Sequence, residues 1–137
     1  MFLTRNKYAK IKLLNRSGQW VIELNEKNRV KIKVLEIKRR YSYWQVSGRR
    51  KNMLTFAKLG FTSSVILEEI YRKLEWKDYI SGPEVDNHKP PIQGEVWKFG
   101  KTIAGVTCYL KFQDRPDGVI FWISIHEAQF PLDYPFK

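Results

Sequence analysis

The sequence predicts an α+β domain: an antiparallel sheet of four or more strands packed on two or three helices. Three observations carry this expectation. The last third of the chain, from Gln93 to Lys137, alternates apolar and polar residues with a period of two, in three runs separated by turn residues. Ile66, Ile70 and Leu74 recur at helical spacing behind a polar capping group. The 137 residues are 43% hydrophobic, enough for one core and too few for a second domain of ordinary size.

Taken in order, residues 1–19 are basic and weakly alternating, with Tyr8, Ile11, Leu13 and Leu14 among five Lys and Arg residues before Gly18. They fit a strand, a helical turn or an arm. From Trp20 the apolar positions run Val21, Ile22, Leu24, Val30, Ile32, Val34, Leu35 and Ile37. Alternation with Lys31, Lys33 and Glu36 argues for a strand from Val30 after a turn at 25–28. The same residues also fit a basic helix over 22–38, and periodicity alone does not choose. Tyr41 to Val46 reads as a strand closed by Ser47-Gly48. Met53, Leu54, Phe56, Ala57 and Leu59 fit a short helix stopped by Gly60.

Thr62-Ser63-Ser64 then caps a second helix, with Glu68 and Glu69 toward its start and Arg72 and Lys73 toward its end, as the helix dipole favours. Asp78 to Pro83 closes that unit, and residues 84–92 read as an exposed loop. A meander follows: Glu95 to Phe99, Gly105 to Phe112, and Gly118 to His126, broken at Gly100-Lys101 with Gly105 and at Arg115-Pro116-Asp117-Gly118.

Alternation sorts the meander's side chains onto two faces. Val106, Cys108, Leu110 and Phe112 share the apolar face. Thr107, Tyr109 and Lys111 share the other, and Ser124 and His126 point one way on the next strand. A phenol, an ammonium and an imidazole are thereby expected to meet on one open sheet surface.

Composition narrows the function classes. No apolar run approaches the roughly 18 residues needed to span a bilayer, so no membrane partner is expected. Met1 to Arg5 lacks a signal-peptide pattern, and the reading is cytoplasmic. Asn15-Arg16-Ser17 matches a glycosylation triplet of the kind chance supplies. One cysteine, Cys108, excludes an internal disulfide and a thiolate-rich metal site, and its place on the apolar face predicts a buried thiol. His88 beside Asp86 is too sparse for a metal centre, so neither metal nor cofactor is expected.

Charge is the loudest signal. The net is +11, and it is uneven: residues 1–60 hold 16 Lys and Arg against 3 Asp and Glu, whereas residues 61–137 hold 9 against 11. A basic half on a small chain points to a polyanion such as RNA, DNA or an acidic protein. Arg39, Arg40, Arg49, Arg50 and Lys51 are the candidate phosphate contacts in that half. Trp20 and Trp44 could stack on bases or pack in the core; Trp97 and Trp122, lying in strands, read as core.

Several phrases carry a resemblance. Arg50-Lys51-Asn52 before Ala57-Lys58-Leu59-Gly60, Asp78 to Pro83, Val96 to Lys101, Tyr109-Leu110-Lys111, Ser124 to Gln129, and Pro131-Leu132 with Tyr134-Pro135-Phe136 together resemble the MqsR toxins of type II toxin–antitoxin systems. That group is similar in fold to the RelE-like ribonucleases. The resemblance covers about residues 49–137 and leaves 1–48 as a basic N-terminal segment of the same single domain. It implies a toxin-like core, metal-independent cleavage of mRNA and a cognate antitoxin as partner. It also implies a catalytic role for Tyr109, with Lys111 beside it. Where the family's last strand ends on a catalytic lysine, this chain has His126. The lysine that follows an Asp-aromatic pair in the family has no counterpart after Asp78-Tyr79, and the family's glutamine corresponds without clear register to Gln93 or Glu95.

Cleaving RNA with side chains alone requires a base for the 2′-hydroxyl proton, cations for the charge on phosphorus and an acid for the leaving oxygen. Histidine ordinarily titrates near neutrality, which suits His126 to either proton role. Lys111, with Lys98 or Lys101, supplies fixed positive charge, and Tyr109 positions the phosphate or donates a proton. The expected function is therefore a toxin-type endoribonuclease acting on single-stranded mRNA. The alternatives are a basic nucleic-acid-binding module without the chemistry, a DNA-binding regulator lacking a helix-turn-helix signature, and a protein-interaction domain for an acidic partner.

Overall fold

The computed structural model describes residues 10–11, 22–23 and 25–137; the expectations for the rest of residues 1–19 and for Trp20 lie outside them. Two short strands, β1 (Lys10–Ile11) and β2 (Ile22–Glu23), pair antiparallel, Lys10 opposite Glu23. The ambiguous stretch that follows is a helix, α1 (Glu26–Arg39). Val30, Val34 and Ile37, at i, i+4 and i+7, are the positions it buries, while Leu35 of the apparent alternation is exposed. Asn25, which suited a turn, caps this helix: its side-chain oxygen accepts the Asn28 N–H at 2.8 Å.

A single 3₁₀ turn, Tyr41–Tyr43, occupies the first half of the expected strand and leaves only β3 (Trp44–Val46). Trp44 is buried, with its indole N–H donated to the Ile37 carbonyl at 2.8 Å, so it packs and cannot stack on a base. Helix α2 (Arg50–Leu59) ends at Gly60, whose φ of 71° is the left-handed cap that favours glycine. Helix α3 (Ser63–Lys73) is capped by Thr62 accepting from the Val65 N–H. After a second 3₁₀ turn at Trp76–Asp78 come strands β4 (Tyr79–Glu84), β5 (Glu95–Ile103), β6 (Val106–Asp114) and β7 (Ile120–Glu127).

The fold is α+β, with three α-helices among the described residues and a five-stranded sheet ordered β3-β7-β6-β5-β4. Three pairings are antiparallel, but β3 runs parallel to β7, so the sheet is mixed and not wholly antiparallel as expected. Strand β4 corrects a second expectation. Asp78 to Pro83 reads as a terminator because of its Gly-Pro ending, yet Tyr79 to Glu84 pairs along β5 with two register shifts. It lies at the sheet edge, where a proline lacking its N–H is tolerated. Strand β5 also runs on through Gly100-Lys101, and the turn falls at Ala104-Gly105.

One face of the sheet carries the core. Trp97, Phe99, Leu110, Phe112, Trp122 and Ile125 pack against Val30, Val34 and Ile37 of α1 and Ile66 and Ile70 of α3. Residues from α1 onward therefore share one core with the segment that begins at residue 49. Cys108 is fully buried, and burial, with the Glu127 charge adding to it, pushes its thiol up to about 11. No helix among the described residues is long and apolar enough to cross a membrane.

Arg40 has a structural role that sequence alone did not expose. Its guanidinium donates two hydrogen bonds to Asp114 at 2.9 Å, and Lys33 reaches the same carboxylate at 2.8 Å. Burial pushes the Asp114 carboxyl up, but the hydrogen bonds and charges of Arg40 and Lys33 outweigh it and hold the group below its ordinary value. A carboxyl lowered in the folded state contributes stability above its unfolded pKa of about 3.9 and loses it as pH falls through the folded value. Asp114→Asn is expected to cost about 2 kcal/mol at pH 7, less than breaking a fully buried ion pair because Asp114 and Arg40 are only partly buried. It should also flatten the acid limb of stability below about pH 4, where the unfolded chain begins to take up a proton that folded Asp114 resists. Urea unfolding from pH 2 to 7 measures both effects, and parallel curves for the two proteins would contradict the assignment.

Candidate functional site

The face of the sheet opposite the core holds the expected cluster. Antiparallel pairing sets Tyr109 directly across from His126, Lys111 across from Ser124 and from Lys98, and Gly100 across from Tyr109. Partners in register project to the same side, so β5, β6 and β7 each contribute one or two functional groups to one surface. The Tyr109 and His126 rings lie 5.5 Å apart between centroids, tilted by 47°. Around them is a groove of about 370 Å³ lined by Arg49, Lys51, Tyr109, Lys111, Ser124 and His126. Ala128, Gln129, Phe130 and Leu132, from the C-terminal tail, complete its lining.

Each group is held for a physical reason. Arg49 precedes the first turn of α2 and donates to the Ser124 hydroxyl at 3.0 Å, which points its guanidinium across the groove. The backbone around His126 is fixed from the side. Beyond the three residues that pair with β3, the β7 edge would be bare, and α2 covers it with side chains. Asn52, fully buried, donates to the Ile123 carbonyl at 3.1 Å and accepts the Ile125 N–H at 2.9 Å; Thr55 accepts the Glu127 N–H at 2.9 Å. His126 Nδ1 lies 3.0 Å from the Glu127 carbonyl oxygen. A carbonyl only accepts, so Nδ1 carries the proton in that bond and Nε2 is left for chemistry.

Electrostatics sets the protonation of the neighbours. Burial raises the Tyr109 phenol above its ordinary value of 10.0; Lys98 and Arg49 oppose the rise and Glu84 adds to it. The phenol therefore stays protonated at neutral pH and acts as a donor. Lys98 is held by Glu84 at 2.8 Å, and that hydrogen bond keeps its ammonium charged against the opposing effect of burial. Asp86, in the loop before β5, accepts the Ile92 N–H at 3.0 Å and lies close enough to Lys111 for the two charges to interact.

The tail is strapped over the end of the site. Ala128 donates its N–H to the Thr107 carbonyl at 2.8 Å, and farther along Leu132 and Tyr134 lie on Gly100. Phe136 then stacks on Tyr79 at 5.3 Å between centroids. A Cβ on Gly100 would sit 2.5 Å from both Leu132 Cδ1 and Tyr134 Oη, so glycine is what lets the strap lie down. Alanine there can be met by turning two side-chain ends. Gly100→Val, with two branches, is expected to lift the strap and cost about 2 kcal/mol as an overpacking change. Limited proteolysis should then cut between residues 128 and 137 in the variant under conditions that spare the wild type.

The remaining candidates are placed elsewhere. Lys101 alternates to the opposite side of β5 and pairs with buried Asp78 at 3.1 Å, so it does not share the surface of Tyr109. Arg40 is committed to Asp114. Arg39, in the last turn of α1, and Arg50, in the first turn of α2, are exposed and do not line the groove. Gln93 is exposed outside it, and Glu95 lies 3.7 Å from Lys33. His88 is exposed in the loop with Nδ1 against the Pro90 carbonyl, and no cluster among the described residues is arranged to hold a metal ion.

Asn52, Thr55 and the Ser124 anchor were not identified from sequence. Asn52 stands in the Arg50-Lys51-Asn52 phrase and would have suggested a surface polar residue; only the bare edge of β7 explains it. Compared with family models, with curated proteins and with solved structures, the chain finds no match.

Proposed function

We propose that this protein is a metal-independent endoribonuclease of the toxin kind, cleaving single-stranded mRNA in the groove beneath the C-terminal strap. The observation that supports this most is the convergence of an imidazole, a protonated phenol and several cations on one sheet face. In the proposed reaction His126 Nε2 takes the proton of a ribose 2′-hydroxyl, whose oxygen attacks the adjacent phosphorus. The bond from phosphorus to the 5′-oxygen breaks, and Tyr109 donates the hydrogen bond or proton that the leaving oxygen needs. Arg49, Lys51 and Lys111, with Lys98 behind them, balance the extra negative charge on the phosphoryl oxygens. The products are a 2′,3′-cyclic phosphate and a free 5′-hydroxyl.

The resemblance to the MqsR toxins adds a cognate antitoxin to this proposal. A binding module without cleavage is favoured by one observation, the absence of a lysine after Asp78-Tyr79. Incubating purified protein with labelled single-stranded RNA in EDTA tests both readings. Cleavage with cyclic-phosphate ends is the expected result. Binding that weakens steeply with salt, without cleavage, would leave the binding module.

A further inference from the structure

We infer that Phe130 is a stacking platform for an unpaired nucleobase beside the reacting phosphate. The inference rests on the ribonuclease reading and goes beyond it by naming what the tail recognises in the groove. Phe130 is 77% exposed, although it belongs to the groove lining. Its ring takes part in neither the core nor any aromatic pair among the described residues. Yet the backbone that carries it is tied down on both sides, by Ala128 on the Thr107 carbonyl and by Leu132 on Gly100. The strap therefore carries a large apolar ring across the strand ends to the lining of the groove and leaves it uncovered.

The chemistry of the rest of the lining identifies the occupant. Arg49, Lys51 and Lys111 gather positive charge within one groove, which suits phosphates and repels a basic partner. Cations that follow a backbone, next to an aromatic face on which a base can stack, are the pairing used to hold single-stranded nucleic acid. A base in a duplex is already stacked on both sides and cannot offer its face to Phe130. The path also continues: a second recess of about 220 Å³ shares Lys51, His126, Ala128 and Gln129 with the groove and extends to Leu54, which is 57% exposed. A strand crossing His126 thus has room on both sides of the reacting phosphate.

The test measures binding of wild type, Phe130→Ala and Phe130→Trp to a single-stranded RNA, to the same RNA with one abasic position moved along it, and to the duplex form. Phe130→Ala is expected to weaken binding to the intact single strand about tenfold, the scale of one base–aromatic stack. Phe130→Trp should bind at least as tightly as wild type. At one abasic position, wild type and Phe130→Ala should become equal. Equal affinity of wild type and Phe130→Ala for intact RNA that the wild type cleaves would overturn the platform alone. Equal weakening on duplex and single strand would overturn it too. A wild type that neither binds nor cleaves RNA would remove the ribonuclease reading itself.

Discussion

His126→Ala is expected to lower cleavage of single-stranded RNA by at least about 100-fold, the lower range for a lost acid–base group, while RNA affinity stays within a few fold. The split follows from the geometry. In the proposed mechanism phosphate binding falls to Arg49, Lys51 and Lys111; Arg49 is anchored on Ser124 and His126 on the Glu127 carbonyl, so truncating His126 leaves the cations in place. The residues that line the groove include no second imidazole and no carboxylate to take its place. The Tyr109 phenol, whose ordinary value of 10.0 burial raises further, is protonated near neutrality and cannot serve as a base there. Tyr109→Phe should give a smaller loss, about 10-fold, because water can protonate the leaving oxygen in its place. Lys111→Ala should instead weaken binding and reduce its salt dependence by about one unit of slope. An His126→Ala protein that cleaves within threefold of wild type would remove the imidazole from the mechanism. If Lys111→Ala alone abolished cleavage, the chemistry would have to be rebuilt around the ammonium.

Much of this was legible in the sequence for a plain reason. Period-two alternation in the last third states which side chains of one strand share a face, so Tyr109 with Lys111 and Ser124 with His126 follow from counting, while the strand register sets His126 across from Tyr109. Helix α3 was legible because cap, spacing and charge gradient agree. What failed to show was whatever depends on a neighbour far along the chain. Val30 to Ile37 alternates like a strand, and only the packing of Val30, Val34 and Ile37 against the sheet makes it a helix. Strand β4 is disguised by Gly82-Pro83, which an edge permits and a central strand would not. Lys101 looked equivalent to Lys98, three residues earlier, but an odd separation in a strand sends the two to opposite faces. Arg40 and Arg49 were indistinguishable as basic residues. Asp114 claims the first and Ser124 the second, and both acceptors lie more than 70 positions away.

The largest stability effect is expected at Asn52, where fold and site meet. Its side chain makes three hydrogen bonds, to the Ser47 carbonyl at 3.0 Å, the Ile123 carbonyl at 3.1 Å and the Ile125 N–H at 2.9 Å. Alanine removes all three and leaves backbone groups of β7 without a partner where α2 excludes water. At about 1–3 kcal/mol for each buried group left unpaired, Asn52→Ala should cost about 4 kcal/mol. Thr55→Val removes the acceptor for the Glu127 N–H and should cost about 1.5 kcal/mol. Urea unfolding measures both, and an Asn52→Ala protein within 1 kcal/mol of wild type would contradict the clamp. The same bonds bracket Ser124, and with Thr55 they hold the backbone on either side of His126. Relaxing them lets the imidazole drift relative to Tyr109 on the neighbouring strand. Under conditions where Asn52→Ala remains folded, cleavage should therefore still fall by about 10-fold or more, because a misplacement of about 1 Å in a catalytic group is enough for that. A variant that loses stability but cleaves normally while folded would show that α2 supports the sheet without aiming its chemistry.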